Sequence, residues 1–223
     1  MTAKSDLSSA EAENLVRRSY QYVALFNTLF PWALNKKSAF YSGGWNQTHK
    51  AEGLMDASSR DVPRPNNDSL YVTSMLDLRT EPMVVHYPAF SSRDVSLETS
   101  ALDHYVGIPL ATSKGDFKKP TTLLYYSART DHYSGESVSG VDKIIEMSGD
   151  FAVSFLRVMP EAADPAKLKT NLAAIKAVKL QTLSEFDGGA AKPPASNVFP
   201  PYSNTASTFS DHFLEVMQFV FNH

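Results

Sequence analysis

Near the start of the chain, apolar positions recur every three to four residues. Leu15, Ser19, Tyr22, Phe26 and Phe30 form one stripe, with Val16, Tyr20 and Val23 beside it. Ser8-Ser9-Ala10-Glu11 precedes the stripe in the order of a capping box. The pattern predicts a helix over 8–30 with a broad apolar face, ended by Pro31. Residues 32–63 show no clean period, and Gly43-Gly44-Trp45-Asn46 reads as a loop. From Ser69 the period drops to two. Strands are expected at 69–78, 82–88, 93–101, 104–110, 121–127 and 150–158, where Val, Thr, Tyr, Phe and Leu alternate between breaks at Pro, Gly, Ser and Asp. Connections this short favour antiparallel neighbours, because a parallel pair needs a long crossover. Asp164-Pro165 is an N-cap and N1 pair for a helix over 165–177, with Leu168, Leu172 and Ile175 turned inward. A Pro-rich linker over 187–206 leads to a last helix over 207–223.

These elements predict a single domain over 1–223, with a β-rich core at 64–186. The fold class is α+β: an antiparallel β-sandwich or partly open, jelly-roll-like barrel with the N-terminal and C-terminal helices packed on it. The last helix is unusual. Phe209, Phe213, Val216, Met217, Phe219, Val220 and Phe221 leave little polar face, the pattern of a helix buried nearly all round. Either this domain's own core covers it or another chain does. The reading expects a homo-oligomer or a separately encoded second domain.

Composition narrows the classes. With a net charge of −3 the chain has no electrostatic footprint for nucleic acid. It has no Cys, which excludes disulfides, thiolate catalysis and Cys-ligated zinc. Met1 to Ser9 is polar, and no stretch approaches the roughly 20 apolar residues of a membrane helix. The expectation is a cytoplasmic protein that does not enter membranes.

Candidate chemistry concentrates in Arg64-Pro65-Asn66-Asn67-Asp68-Ser69-Leu70-Tyr71. Pro65 holds Arg64 extended, and the Asn and Asp side chains bond nearby backbone, so the block folds as a turn that delivers Tyr71 and Asp77 into a strand. It is either an over-determined structural turn or the wall of a polar site. As a site, Arg64 anchors an anion through its guanidinium fork, with Asn66 and Asn67 as further ligand-binding groups. Asp68 is then the base and Tyr71 the donor. Asp103 is a further acid–base candidate, since Asp103 and His104 point to opposite faces of a regular strand. His86 reads as solvent-facing. No His-x-His or Glu-x-x-His pair stands at metal-ligand spacing, and Asp68, Asp77 and Asp103 lack calcium-loop spacing, so no metal or cofactor is expected. The Gly/Ser-rich run 134–140 lacks the Gly-Lys-Ser/Thr of a phosphate loop, and no Gly-x-Ser-x-Gly elbow occurs.

The same block, followed by Leu76-Asp77-Leu78 and Glu81-Pro82-Met83-Val84-Val85, resembles the signature of the domain-of-unknown-function family 1254. Arg93, Asp103 and Leu183-Ser184-Glu185-Phe186 extend the resemblance over roughly 15–222. It implies a sandwich-like core flanked by helices, and adds Arg93 to the ligand-binding set. Asp94 and Val95 follow Arg93 where the family usually has aromatic residues. Most members also continue into a second β-rich domain. Two functional readings follow. One is a small-molecule site with metal-independent acid–base chemistry around the block. The other is a non-catalytic module that pairs with itself or with a second domain.

Overall fold

The computed structural model describes residues 7–58, 66–196, 198–203 and 205–223. Its first element is helix α1 (Ser9–Leu34). The capping box forms: Glu11 N–H donates to Ser8 Oγ at 3.3 Å, and Ser8 N–H donates to Glu11 Oε2 at 2.8 Å. The helix does not stop at Pro31 but runs through it. The extra turn buries Trp32 and Ala33 and closes with Asn35 N–H on the Pro31 carbonyl at 2.8 Å. Packing outweighs the hydrogen bond that proline removes.

Among the described residues nine strands form two sheets. The first sheet contains β1 (Gln47–Lys50), β2 (Leu70–Asp77), β4 (Val95–Ala101), β5 (Leu110–Ala111) and β8 (Phe151–Val158), in the order β1-β2-β8-β4-β5. The second contains β3 (Met83–Tyr87), β6 (Thr121–Ser127), β7 (Lys143–Met147) and β9 (Lys179–Thr182), in the order β7-β6-β3-β9. Every pairing is antiparallel except β6 with β7, which is parallel. The sheets pack face to face as a sandwich with open edges and no closed barrel. Between them lie Leu70, Val72, Leu97 and Leu156 of the first sheet and Met83, Val85, Leu123 and Tyr125 of the second. Polar groups in this layer pair with one another. Tyr87 Oη lies 2.7 Å from Ser154 Oγ, and Tyr125 Oη lies 3.1 Å from Thr99 Oγ1.

Both outer faces are covered too. Val23, Phe26 and Phe30 of α1, with Val216 and Val220 of α5 (Phe213–Asn222), pack on Met75, Phe151 and Val153. Val84, Leu124 and Tyr126 are covered by Tyr133 and by Val138, Val141, Leu183 and Phe186. So β2 and β6 are buried along their whole length. Helix α2 (Pro165–Ala177) is capped by Asp164 as the sequence predicts.

Several expectations need correction. Residues 104–110 are not a strand: Leu102 and Asp103 sit in a turn, His104 has φ 67°, and Val106 makes a single bridge to Ser100. The short edge strands β1, β7 and β9 escape the sequence reading. The last helix is two, α4 (Ala206–Asp211) and α5, after helix α3 (Leu183–Phe186). Nor is α5 enclosed all round, since Leu214 and Phe221 remain 63% and 56% exposed. No described residue between α3 and α4 is in a helix or strand. Yet that segment is anchored: Phe199 meets the Phe30 ring at 5.1 Å, and Ser203 N–H donates to Asn27 Oδ1 at 3.1 Å.

The end of α5 is latched to the sandwich. The His223 carbonyl accepts from Asp150 N–H and from Arg129 Nη2, and His223 Nδ1 lies 3.2 Å from Asp150 Oδ2. Gly149 makes room for this contact, since a Cβ there would stand 3.0 Å from the His223 oxygen.

Candidate functional site

Alternation along β8 turns Ala152, Ser154 and Leu156 into the sandwich and Val153, Phe155 and Arg157 outward. The register then sets outward groups side by side. Tyr71 of β2 lies directly opposite Arg157, and Glu98 of β4 directly opposite Phe155. Above them α1 contributes Leu29 and Trp32, the loop after it contributes Phe40, and the loop after β1 contributes Met55. Together they enclose a cleft of about 440 Å³ with Asn66 and Val106 also in its wall. That volume falls in the ordinary range for small-molecule sites.

The floor is aromatic. The Phe155 ring stands 5.0 Å from Tyr71, 5.8 Å from Trp32 and 5.9 Å from Phe40. The Arg157 guanidinium lies 5.4 Å over Phe155 and donates to Glu98 Oε1 at 3.2 Å. Both side chains of that pair are 43% exposed, so the bridge itself contributes at most about 1 kcal/mol. The Tyr71 hydroxyl donates to the Asn66 carbonyl at 3.5 Å. Burial pushes its phenol pKa up, the Arg157 charge opposes this, and the Asp68 charge adds to it. At neutral pH Tyr71 is therefore a hydrogen-bond donor, not a base.

An adjoining cleft of about 270 Å³ shares Phe40, Met55 and Tyr71 and adds His49, Glu52 and Asp56. Burial lowers the His49 pKa, against smaller raising effects of the Tyr41 backbone and Glu52. Asp56 is held by Ser58, whose N–H and Oγ both donate to Oδ1.

The sequence candidates separate in space. Asn66 and Tyr71 line the aromatic cleft. Asn66, Asn67 and Asp68 form the exposed turn beside it: Asp68 N–H donates to Asn66 Oδ1 at 3.1 Å, and Ser69 Oγ donates to Asp68 Oδ1 at 3.0 Å. Asp103 lies elsewhere, in a pocket of about 210 Å³ with Arg129 and His223, where its Oδ1 accepts from Tyr105 N–H. Arg93 is on the surface, 3.6 Å from Glu161 Oε1. Arg64 and Pro65 lie outside the described residues. His86 is exposed, as expected. The sequence reading missed Trp32, Glu98, Phe155, Arg157 and His49. Alternation within β8 groups Phe155 with Arg157, but only the register brings them to Tyr71. Among the described residues no three His, Asp or Glu side chains gather as a metal site, and no helix is long and apolar enough to cross a membrane.

No curated protein matches the chain. Among solved structures, the VPA0106 protein from Vibrio parahaemolyticus matches with a TM-score of 0.68 at 20% identity, over 93% of this chain and 46% of that one. An uncharacterized protein from Burkholderia cenocepacia matches with a TM-score of 0.41 at 14% identity, over 98% of this chain and 51% of that one. The chain thus spans about half the length of these structures. The first likeness shows the sandwich with its helices as a shared fold. The family model for proteins of unknown function, DUF1254, matches residues 45–182, the interval that holds every strand of both sheets, and the chain belongs to that family.

Proposed function

We propose that this domain binds a small organic acid with a flat apolar body in the outer-face cleft. The observation that carries the reading is the direct pairing of Tyr71 with Arg157 beneath the rings of Trp32, Phe40 and Phe155. The rings take the apolar body, Arg157 the acidic group, and the Tyr71 hydroxyl a second polar atom. Binding is better supported than turnover. Tyr71 keeps its proton at neutral pH, and Asp103, the other acid–base candidate, lines a different pocket.

The test uses Trp32, one of two tryptophans in the chain. In a Trp45→Phe background its fluorescence reports on this cleft. Phenylacetate and 4-hydroxybenzoate should change it saturably, and Arg157→Gln should weaken that response about tenfold. A folded protein that gives no saturable response to either acid sinks the reading. The alternative, an assembly module, draws on one observation. Phe221 is exposed beside Tyr22, and Tyr20 is exposed where it stacks on Phe209. Light scattering across a dilution series decides it, with association expected to weaken in Phe221→Ser.

A further inference from the structure

A separate cleft of about 490 Å³ opens along one side of the sandwich. It lies where both sheets end, because β1 is an edge of the first sheet and β9 an edge of the second. Its wall holds three lysines, Lys50, Lys179 and Lys192, and three carboxylates, Asp77, Glu81 and Glu185. The two sets are not equivalent. Asp77 accepts from Arg79 Nε at 2.9 Å and from Nη2 at 2.8 Å, so its charge is neutralised from behind. Glu81 is buried and accepts from the backbone N–H groups of Lys192 at 2.8 Å and Ser184 at 3.1 Å. Glu185 closes a capping box on Thr182 N–H at 2.9 Å.

The ammonium groups have no such partners. Lys179 and Lys192 are exposed, and neither makes a side-chain hydrogen bond or ion pair among the described residues. Lys50 Nζ reaches only a neutral acceptor, the Lys176 carbonyl, at 2.8 Å. A further donor stands in the same wall. The Trp45 indole N–H is buried with no hydrogen-bond partner among the described residues. Its ring is fixed against Phe30 at 5.1 Å and Phe151 at 4.8 Å. A buried donor left unpaired is costly, and such groups normally meet a protein or solvent acceptor. Hydrogen bonds hold all three carboxylates in place, with Glu81 kept ionised by them against the opposing effect of its burial, while Lys179 and Lys192 have no side-chain partner among the described residues.

We propose that this edge cleft is a second binding site, for a small organic polyanion of di- or tricarboxylate type. Its carboxylates bridge Lys179 and Lys192 beside the Trp45 ring in the cleft wall. The site is independent of the aromatic cleft, and each contains one of the two tryptophans. In a Trp32→Phe background, Trp45 is the sole tryptophan. Citrate and succinate should change its emission saturably at constant ionic strength. Lys179→Gln with Lys192→Gln should weaken binding at least tenfold, while Arg157→Gln should leave it unchanged. The indole N–H resonance of Trp45 in ¹⁵N-labelled unaltered protein gives the same readout without substitution. No saturable shift with either acid, a shift that survives the lysine pair, or an equal shift with chloride overturns the proposal. A stronger response to inorganic phosphate than to citrate overturns the carboxylate class.

Discussion

The two faces of the first sheet use the same strands to opposite ends. On the inner face every hydroxyl meets another: Ser154 with Tyr87, Thr99 with Tyr125. Burial pushes both phenols up, so they stay protonated at neutral pH. One residue along each strand, the outer face carries Phe155, Glu98 and Arg157, whose polar ends remain partly in water. The inner face is closed by another sheet, which presents a second complementary surface. The outer face is closed by α1 and α5, which cover only part of it. The aromatic cleft opens where the cover stops, and strand alternation determines which side chains it receives.

The largest test of this contrast is a pair of neighbours. Leu156→Ala empties a fully buried inner position and should cost about 2–5 kcal/mol in urea unfolding. Arg157→Ala, one residue on, should cost under about 1 kcal/mol while abolishing the response to aromatic acids. Equal destabilisation by the two would erase the distinction between the faces. Next comes the cover. Gly149→Ala crowds the His223 carbonyl and should cost about 1–3 kcal/mol, with faster proteolysis after α3. An unchanged melting temperature would show that the latch does not hold α5.

A pH test follows. Burial lowers the His49 pKa in the folded state, so its protonation favours unfolding. Its stabilising contribution is present above the ordinary histidine range and is lost as pH falls through that range. The stability of His49→Gln should change less than that of the parent between pH 7 and 5, measured by urea titration. The smallest effect belongs to the turn. Asp68 is exposed and among the described residues accepts from its neighbour Ser69 alone, so Asp68→Ala should alter stability by less than about 0.5 kcal/mol. A larger loss would place the Asn-Asn-Asp block among the structural elements of the inner face.

Local chemistry made much of this legible. The Ser8 and Asp164 caps, the stripe on α1 and the apolar run of β8 each carry their signal within a few residues. What stayed hidden is non-local. Strands β1 and β9, of four residues each, are too short to show a period. Strand β2 was legible at 69–78 even though it is buried on both faces. The site suffers most, because Tyr71 and Arg157 become neighbours only through pairing across more than half of the domain's strands in chain order. Asp103 shows the reverse error. Its flanking residues look strand-like, but the His104 conformation turns the chain and carries the carboxylate away.

The partnership of α1 with α5 also bears on how the protein is made. These helices lie at opposite ends of the sequence, yet they share one apolar cluster over the same sheet. On the ribosome, α1 emerges well before α5. At about 5–20 residues per second the interval lasts on the order of ten to forty seconds. Through that time Phe26 and Phe30 lack the part of their cover that α5 supplies. Apolar surface left uncovered in this way during synthesis is prone to aggregation until its partner helix docks.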